Sequence, residues 1–432
     1  MTAPALTVVL LLFGLLGAGV WVALALMSVG IGGLALFRSM PIERVLGTNL
    51  FNSTTSPELL SLPLFILMAE ILFRTRMADM VLRGLGPWTA WLPGKLLHVN
   101  ILACTMFASV SGSSAATTAT VGRITLSELR RRGYREDLAV GSLAGAGTLG
   151  FLIPPSLILI VYGVLAEVSI IKLFLAGVIP GLLLAAMFSA YLIVRALLDP
   201  SIVPPDDERF GWGDRLRALA DLGPVLLLML SMLGSMYAGI ASPTEAAAIG
   251  VLGALLIALT TGGFSRAGLV ESFAGAVRTS SMIGLILAAA SFLSVSVTFL
   301  GIPRAIAGSI AELGLSPFML LVVLLGFYLL LGCVLDGLSA IVMTLPVALP
   351  LIDAAGIDKI WFGVYLVLVV EMAQITPPIG FNLFVLQGLT KHSIWRVALM
   401  AIPFLLVIVA LTLLLIVFPD IVLFLPNAVA GR

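Results

Sequence analysis

Two stretches rich in small and hydroxyl residues each stand about 40 residues ahead of a Pro-Pro pair, inside an otherwise apolar chain. The first begins at Ser109 as SVSGSSAATTATVG and is answered by GSLAGAGTLGFLIPPS, ending at Ser156. The second reads CVLDGLSAIVMTLPVALP from Cys333 and is answered by EMAQITPPIGFN from Glu371. Proline removes a backbone donor and clashes with the preceding turn, so each Pro-Pro pair breaks a helix. A break leaves free carbonyls at one half-helix end, which coordinate a hard cation such as Na+, and free N–H groups at the other, which favour an anion. In hydrocarbon such backbone survives only where protein or a wet cavity satisfies it.

Two related sites follow if each hydroxyl-rich tip meets the break of its own half. The first joins Ser111, Ser113 and Ser114 to backbone around Thr148 to Pro155. The second joins Asp336, Gly337 and Ser339 to Thr376, Pro377 and Pro378, with Gln374 and Asn382 as polar neighbours. Asp336 is the sharpest signal, because an acid in an apolar run is costly unless paired or used. Close packing of helices through small residues competes as an explanation of SGSSAATTAT. Glu245, just after Pro243, reads equally as a first-turn helix acid or a functional group. Glu70, Glu167 and Glu371 fall near expected span ends, where solvation is the simpler role.

Other chemistries lack their residues. His98 and His392 are the only histidines and Cys104 and Cys333 the only cysteines, with no CxxC, HExxH or paired-acid spacing. A metal-ion centre, a disulfide, a His-based triad and an intramembrane enzyme are therefore disfavoured. A net charge of +1, without basic runs interleaved with aromatics, gives no sign of nucleic-acid binding.

The elements that carry these sites must be membrane helices. Of the 432 residues 60% are hydrophobic and 10% charged, and mean hydropathy is strongly positive. Apolar segments long enough for a bilayer recur throughout, giving an all-α polytopic protein with roughly ten spans. The start lacks a basic n-region and cleavage site, so residues 6–37 read as two short spans joined at Ala18 to Trp21. The apolar pieces within about 96–129 are too short to cross singly and form a re-entrant hairpin tipped by Ser111 to Ser114. A broken helix over about 138–166 and a span to about 197 complete a first unit, 1–198. A polar linker, 199–221, leads to a second unit, 222–432. There an amphipathic stretch to Thr279 precedes a span, a second hairpin covers about 318–352, a broken helix about 360–388, and a last span about 397–418.

The units repeat: Gly112 to Gly337 is 225 residues, Pro154 to Pro377 223, Ser169 to Ser393 224, and Pro180 to Pro403 223. Each unit then holds five crossings plus one hairpin, and an odd number inverts the second relative to the first. Placing Arg123, Arg130, Arg131, Arg132 and Arg135 in the cytoplasm leaves only six of 23 Lys and Arg outside: Arg38, Arg44, Lys172, Arg304, Lys359 and Arg432. Both termini then lie outside the cytoplasm.

In combination, SGSSAATTATVG, GSLAGAGTLGFLIPPS, SPTEAAA, the LDG tip and TPPIGFN resemble the large membrane subunit of tripartite ATP-independent periplasmic (TRAP) transporters, over essentially the whole chain. Trp21 departs from the proline expected in the first turn, a matter of frame geometry. The resemblance implies an ion-transporter-superfamily elevator fold in a bacterial or archaeal inner membrane, importing an organic anion with Na+. It implies Na+ sites at Ser111, Ser113 and Ser114 with Gly147, Thr148, Gly150 and Pro154, and at Asp336, Gly337 and Ser339 with Thr376 and Pro377. Substrate would meet Gly112, Ser114, Thr117, Pro155, Ser339, Pro378 and Asn382. It also implies two partners, a small four-helix membrane subunit, expected as a separate chain, and a soluble periplasmic substrate-binding protein. The alternative within the same architecture is a stand-alone divalent-anion/Na+ symporter.

Overall fold

Glycine, proline and short capping residues punctuate a chain that is otherwise helical. The structure, a computed structural model, describes residues 3–204, 210–261, 265–305, 308, 316–332, 335–377 and 380–430. Helices α1 (Ala3–Gly17) and α2 (Val22–Phe37) flank a turn in which Gly19 takes φ +78°, a conformation that glycine adopts without a Cβ penalty. Then come α3 (Ile42–Thr54), α4 (Ser61–Phe73) and α5 (Met77–Thr89). The next pair, α6 (Leu97–Ser111) and α7 (Ser114–Arg131), is joined by Gly112 and Ser113 alone. Helices α8 (Glu136–Leu152) and α9 (Leu157–Ala166) are separated at Pro154-Pro155, a cis peptide, and α10 spans Ile170–Leu198.

Beyond a connection containing a 3-10 turn come α11 (Trp212–Tyr237), α12 (Pro243–Thr261) and α13 (Arg266–Phe299). A second helical pair, α14 (Pro317–Gly332) and α15 (Gly337–Ala354), precedes α16 (Lys359–Gln374) and α17 (Phe381–Thr390). The chain ends on α18 (Ile394–Val417) and α19 (Asp420–Ala430). Among the described residues there is no strand.

Three boundaries differ from the sequence reading. The polar stretch 199–221 is linker only at its start, because the Gly211 N–H donates to the Asp214 carboxylate at 3.0 Å and caps a helix that begins at Trp212. The amphipathic stretch before Thr279 and the span after it are one 34-residue helix, α13, since no Pro interrupts residues 266–299. After the final span, Phe418 leaves the helical conformation and α19 begins at Asp420.

Among the described residues seven helices are long and apolar enough to cross a membrane, or eight if the bent pair 42–54 and 57–73 is one span. The sequence reading gave roughly ten crossings. Several apolar helices, including α1, α2, α6 and α14, run only 15–16 residues, about 24 Å at 1.5 Å per residue and short of a ~30 Å hydrocarbon layer.

Packing sorts the helices into two groups. Helices α2, α3 and α4 pack on α13, α4 also on α12, and α5 on α11, with α1 against α2. These carry large apolar side chains to the outside, such as Leu227 and Leu230 on α11 and Leu252, Leu256 and Leu259 on α12. The hairpins and broken helices form the second group, whose centre is α8 and α16. Nearly all of both helices is buried. Small residues permit this: a Cβ on Gly141 would lie 2.3 Å from the Met400 carbonyl oxygen, and one on Gly145 2.6 Å from the Phe404 Cβ. Such approaches are how helices associate where lipid removes the hydrophobic drive.

Candidate ion and substrate site

The tip of the first hairpin enters the break between α8 and α9. Gly112 has φ +57°, and a Cβ on it would meet the Leu157 nitrogen at 3.0 Å and the Pro155 carbonyl at 3.3 Å. A Cβ on Gly150 would lie 2.7 Å from the Ser113 carbonyl, and one on Gly147 would overlap the Thr118 side chain. Two helix C-termini, α6 and α8, and two N-termini, α7 and α9, thus converge, and with them the unsatisfied backbone groups that helix ends leave. Some are capped: Ser113 Oγ accepts from the Ala116 N–H at 3.4 Å, and Ser156 Oγ from Leu159 at 3.4 Å while donating to the Phe151 carbonyl at 2.5 Å. Ser156, which sequence reasoning passed over, therefore ties the halves of the break together.

The hydroxyls within this tip bond one another. Ser111 Oγ lies 2.6 Å from Thr117 Oγ1 and accepts from the Ser113 N–H at 3.2 Å. Thr148 is buried and donates to the Gly145 carbonyl at 2.7 Å. Ser114 is buried, and its hydroxyl accepts a hydrogen bond from the Asn382 amide on α17.

The second tip packs on the end of α16. A Cβ on Gly332 would overlap that of Ala373, and one on Gly337 would meet Val370 at 2.5 Å, Phe151 at 3.0 Å and Gln374 Nε2 at 3.4 Å. Asp336 caps α15, its carboxylate accepting from the Ser339 N–H at 3.2 Å. It is exposed rather than buried, and with Ser339 it edges a cavity of about 1180 Å³. The rest of that cavity is mainly apolar, from the α1–α2 turn with Trp21, from α13 with Met282, and from α14 with Phe327.

Beyond α16, Thr376 Oγ1 donates to the Met372 carbonyl at 2.6 Å. A Cβ on Gly380 would stand 2.8 Å from both the Gln374 and Thr376 carbonyl oxygens, so these oxygens converge there. Pro377 follows Thr376 directly, and Pro378 falls outside the described residues.

The structure brings the two sets together. Asn382 of the second break reaches Ser114 of the first tip, and Phe151 of the first break touches Gly337 of the second tip. Around this junction several buried polar atoms have no hydrogen-bond partner among the described residues: Asn382 Oδ1, Gln374 Nε2 and both oxygens of Glu371. The reading of Glu371 as a solvated span-end acid is corrected: α16 is enclosed along its length and Glu371 is 0% exposed. Its position in an apolar run just before the Pro-Pro break was the available signal. Glu245 resolves as a helix cap, accepting from the Ser242 N–H and hydroxyl at 2.8 Å each. Among the described residues no three His, Cys, Asp or Glu cluster as for a transition metal. Carbonyls, hydroxyls and amides are the ligands on offer, which suits alkali cations and anions.

The profile described as "Tripartite ATP-independent periplasmic transporter, DctM component" matches residues 7–421. The chain is 32% identical to the C4-dicarboxylate TRAP transporter large permease protein DctM of Vibrio cholerae, over 98% of its own length and 97% of that protein's. It is 30% identical to the ectoine/5-hydroxyectoine TRAP transporter large permease protein UehC of Ruegeria pomeroyi, over 91% and 92%. Its fold resembles the crystal structure of the YdaH transporter of Alcanivorax borkumensis, with a TM-score of 0.65 at 14% identity, over 98% of this chain and 100% of that one. The chain is a multi-pass membrane protein that belongs to the TRAP-transporter large permease family, a family of transport proteins rather than enzymes.

Proposed function

We propose that the chain is the permease subunit of a Na+-coupled, binding-protein-dependent secondary transporter that imports a carboxylate-bearing organic anion by an elevator mechanism. The observation that carries this reading is the meeting of hairpin tips and helix breaks at one junction, where Gly150 admits the Ser113 carbonyl and Asn382 bonds Ser114. Convergent C-terminal carbonyls and hydroxyls offer Na+ its oxygen shell, at Ser111 to Ser114 with Gly147 to Pro154 and at Asp336 to Ser339 with Thr376 and Pro377. The N-termini of α7, α9, α15 and α17 present N–H groups and positive dipole ends to the substrate anion. Bound Na+ offsets the remaining negative charge.

The group of hairpins and broken helices would then move as one body against α1–α5 and α11–α13. The two halves are inverted repeats in this reading, the first hairpin opens to the cytoplasm of a bacterial or archaeal cell, and both termini lie outside. The relatives' names, C4-dicarboxylate and ectoine, both denote carboxylate-bearing solutes and support a carboxylate as the recognised group. A small four-helix membrane subunit and a soluble substrate-binding protein complete the system, as the word tripartite in the family description implies.

The test is uptake into proteoliposomes holding this chain with and without the small subunit, binding protein and Na+. Uptake requiring all three supports the proposal. Uptake by this chain with Na+ alone identifies a stand-alone symporter, and uptake indifferent to Na+ rules out Na+ coupling.

A further inference from the structure

Glu371 is wholly buried on α16, and among the described residues neither carboxylate oxygen has a hydrogen-bond partner. Helical spacing places Val367, Leu368, Gln374 and Ile375 on its face. The three apolar residues are buried, and Gln374 is buried with its Nε2 unpartnered. A carboxylate in such surroundings is costly unless a positive charge accompanies it.

The helices packed on α16 are α8, α9, α10, α14, α15, α17, α18 and α19. Their titratable groups are engaged elsewhere or stand at helix ends. On α8, Glu136 pairs with Arg130 and His392, and Asp137 with Arg135. Tyr162 on α9 donates to the Lys359 carbonyl, and Tyr328 on α14 shares a hydrogen bond with Thr344. Asp353 near the end of α15 pairs with Lys359, and Tyr365 of α16 itself donates to the Leu321 carbonyl. On α10, Tyr191 packs edge-on against Phe404, while Lys172 and Arg195 stand in its first and last turns. Asp336 caps α15, Lys391 ends α17, and Arg396 and Asp420 begin α18 and α19. None of these forms an ion pair or hydrogen bond with Glu371 among the described residues.

We propose that Glu371 binds and releases a proton during the transport cycle, so that a proton moves in addition to the cations held at the hairpin tips. This rests on the reading of the chain as a transporter. A proton suits the surroundings better than Na+: the side chains on this face offer no oxygen shell, and the free group of Gln374 is a donor. The proton comes from water when the transporter exposes the site to one side of the membrane, adds to one carboxylate oxygen, and returns to water when the site is exposed to the other side.

Infrared difference spectra of the purified chain between acid and alkaline pH test the protonation without any uptake. A protonated-carboxyl C=O band lost in Glu371→Gln is expected, and an unaltered band overturns the proposal. Loss of the wild-type band on adding Na+ at fixed pH also overturns it, in favour of a Na+ ligand. Uptake against pH in the reconstituted system tests the coupling. Wild-type uptake should fall by up to about tenfold per pH unit above the titration of Glu371, as its protonated fraction does. In Glu371→Gln the ratio across the same pH range should be flat. The substrate's own ionisation is common to both proteins, so identical profiles reduce Glu371 to a buried neutral acid and overturn coupling.

Discussion

The side-chain amide of Asn382 donates a hydrogen bond to the hydroxyl of Ser114, across a separation of 268 residues. It ties the start of α17 to the start of α7, so the second helix break and the first hairpin tip share a polar contact in a fully buried place. If both residues serve one ion and substrate site, removing either should disturb the other's partner. Asn382→Ala and Ser114→Ala should each cost ~1–3 kcal/mol of stability by leaving a buried group unpaired. The double variant should cost less than the sum, with an interaction of ~0.5–3 kcal/mol in a thermal-unfolding cycle. Strict additivity would show that the contact carries no coupling.

Gly150 should tolerate nothing larger. A Cβ there would press to 2.7 Å from the Ser113 carbonyl, backbone that cannot swing aside. Gly150→Ala should cost ~1–3 kcal/mol as an overpacked core does and should stop Na+-dependent uptake by pushing the tip out of the break. Gly14→Ala is the control, since no atom lies within 4 Å of its added methyl group. It should gain ~0.4–1 kcal/mol by restricting the unfolded chain. Equal behaviour of the two variants in melting temperature and uptake would remove the tip-in-break geometry from function.

Much of this arrangement was legible in residue types. Pro154-Pro155 and Gly112 act within a few residues of themselves, and the helix end at Leu152 and the turn at Gly112 follow from local backbone chemistry. What the sequence could not show was contact between halves. Asn382 and Ser114 were each singled out, but the bond joining them depends on how α17 lies against α7. Glu371 was misjudged because the sequence placed it near an expected span end, whereas enclosure of α16 by eight helices decides its burial. The start of α11 was missed because a cap made by Asp214 outweighs the polarity of the segment around it.

Asp336 offers a clean separation of two roles. Its carboxylate caps α15 through the Ser339 N–H and also edges the large cavity. Asparagine caps a helix about as well as aspartate, whereas alanine forfeits ~0.5–2 kcal/mol. Asp336→Asn should therefore keep the stability that Asp336→Ala loses. If the charge helps hold a cation, both variants should lose Na+-dependent uptake. Full uptake by Asp336→Asn would leave Asp336 a capping residue only.

The two hairpins should open to opposite sides of the membrane. Around the exit of α7 stand Arg130, Arg131, Arg132 and Arg135, paired with Glu128, Glu136, Asp137 and Asp199. Exposed ion pairs of this kind contribute little to stability, and the weight of the cluster is topological, because Lys and Arg near span ends are in excess on the cytoplasmic side. Around the exit of α15 stand instead Asp353 in its last turn, Asp358, and the lone cation Lys359 that begins α16. Ser127 and Ala354 are exposed near these two exits and serve as reporters. In a background with Cys104 and Cys333 replaced, Ser127→Cys should react with an impermeant thiol reagent only from the cytoplasmic face. Ala354→Cys should react only from the opposite face. Labelling of both from one side would mean that the halves share an orientation, and the inverted-repeat basis of the proposed mechanism would fall.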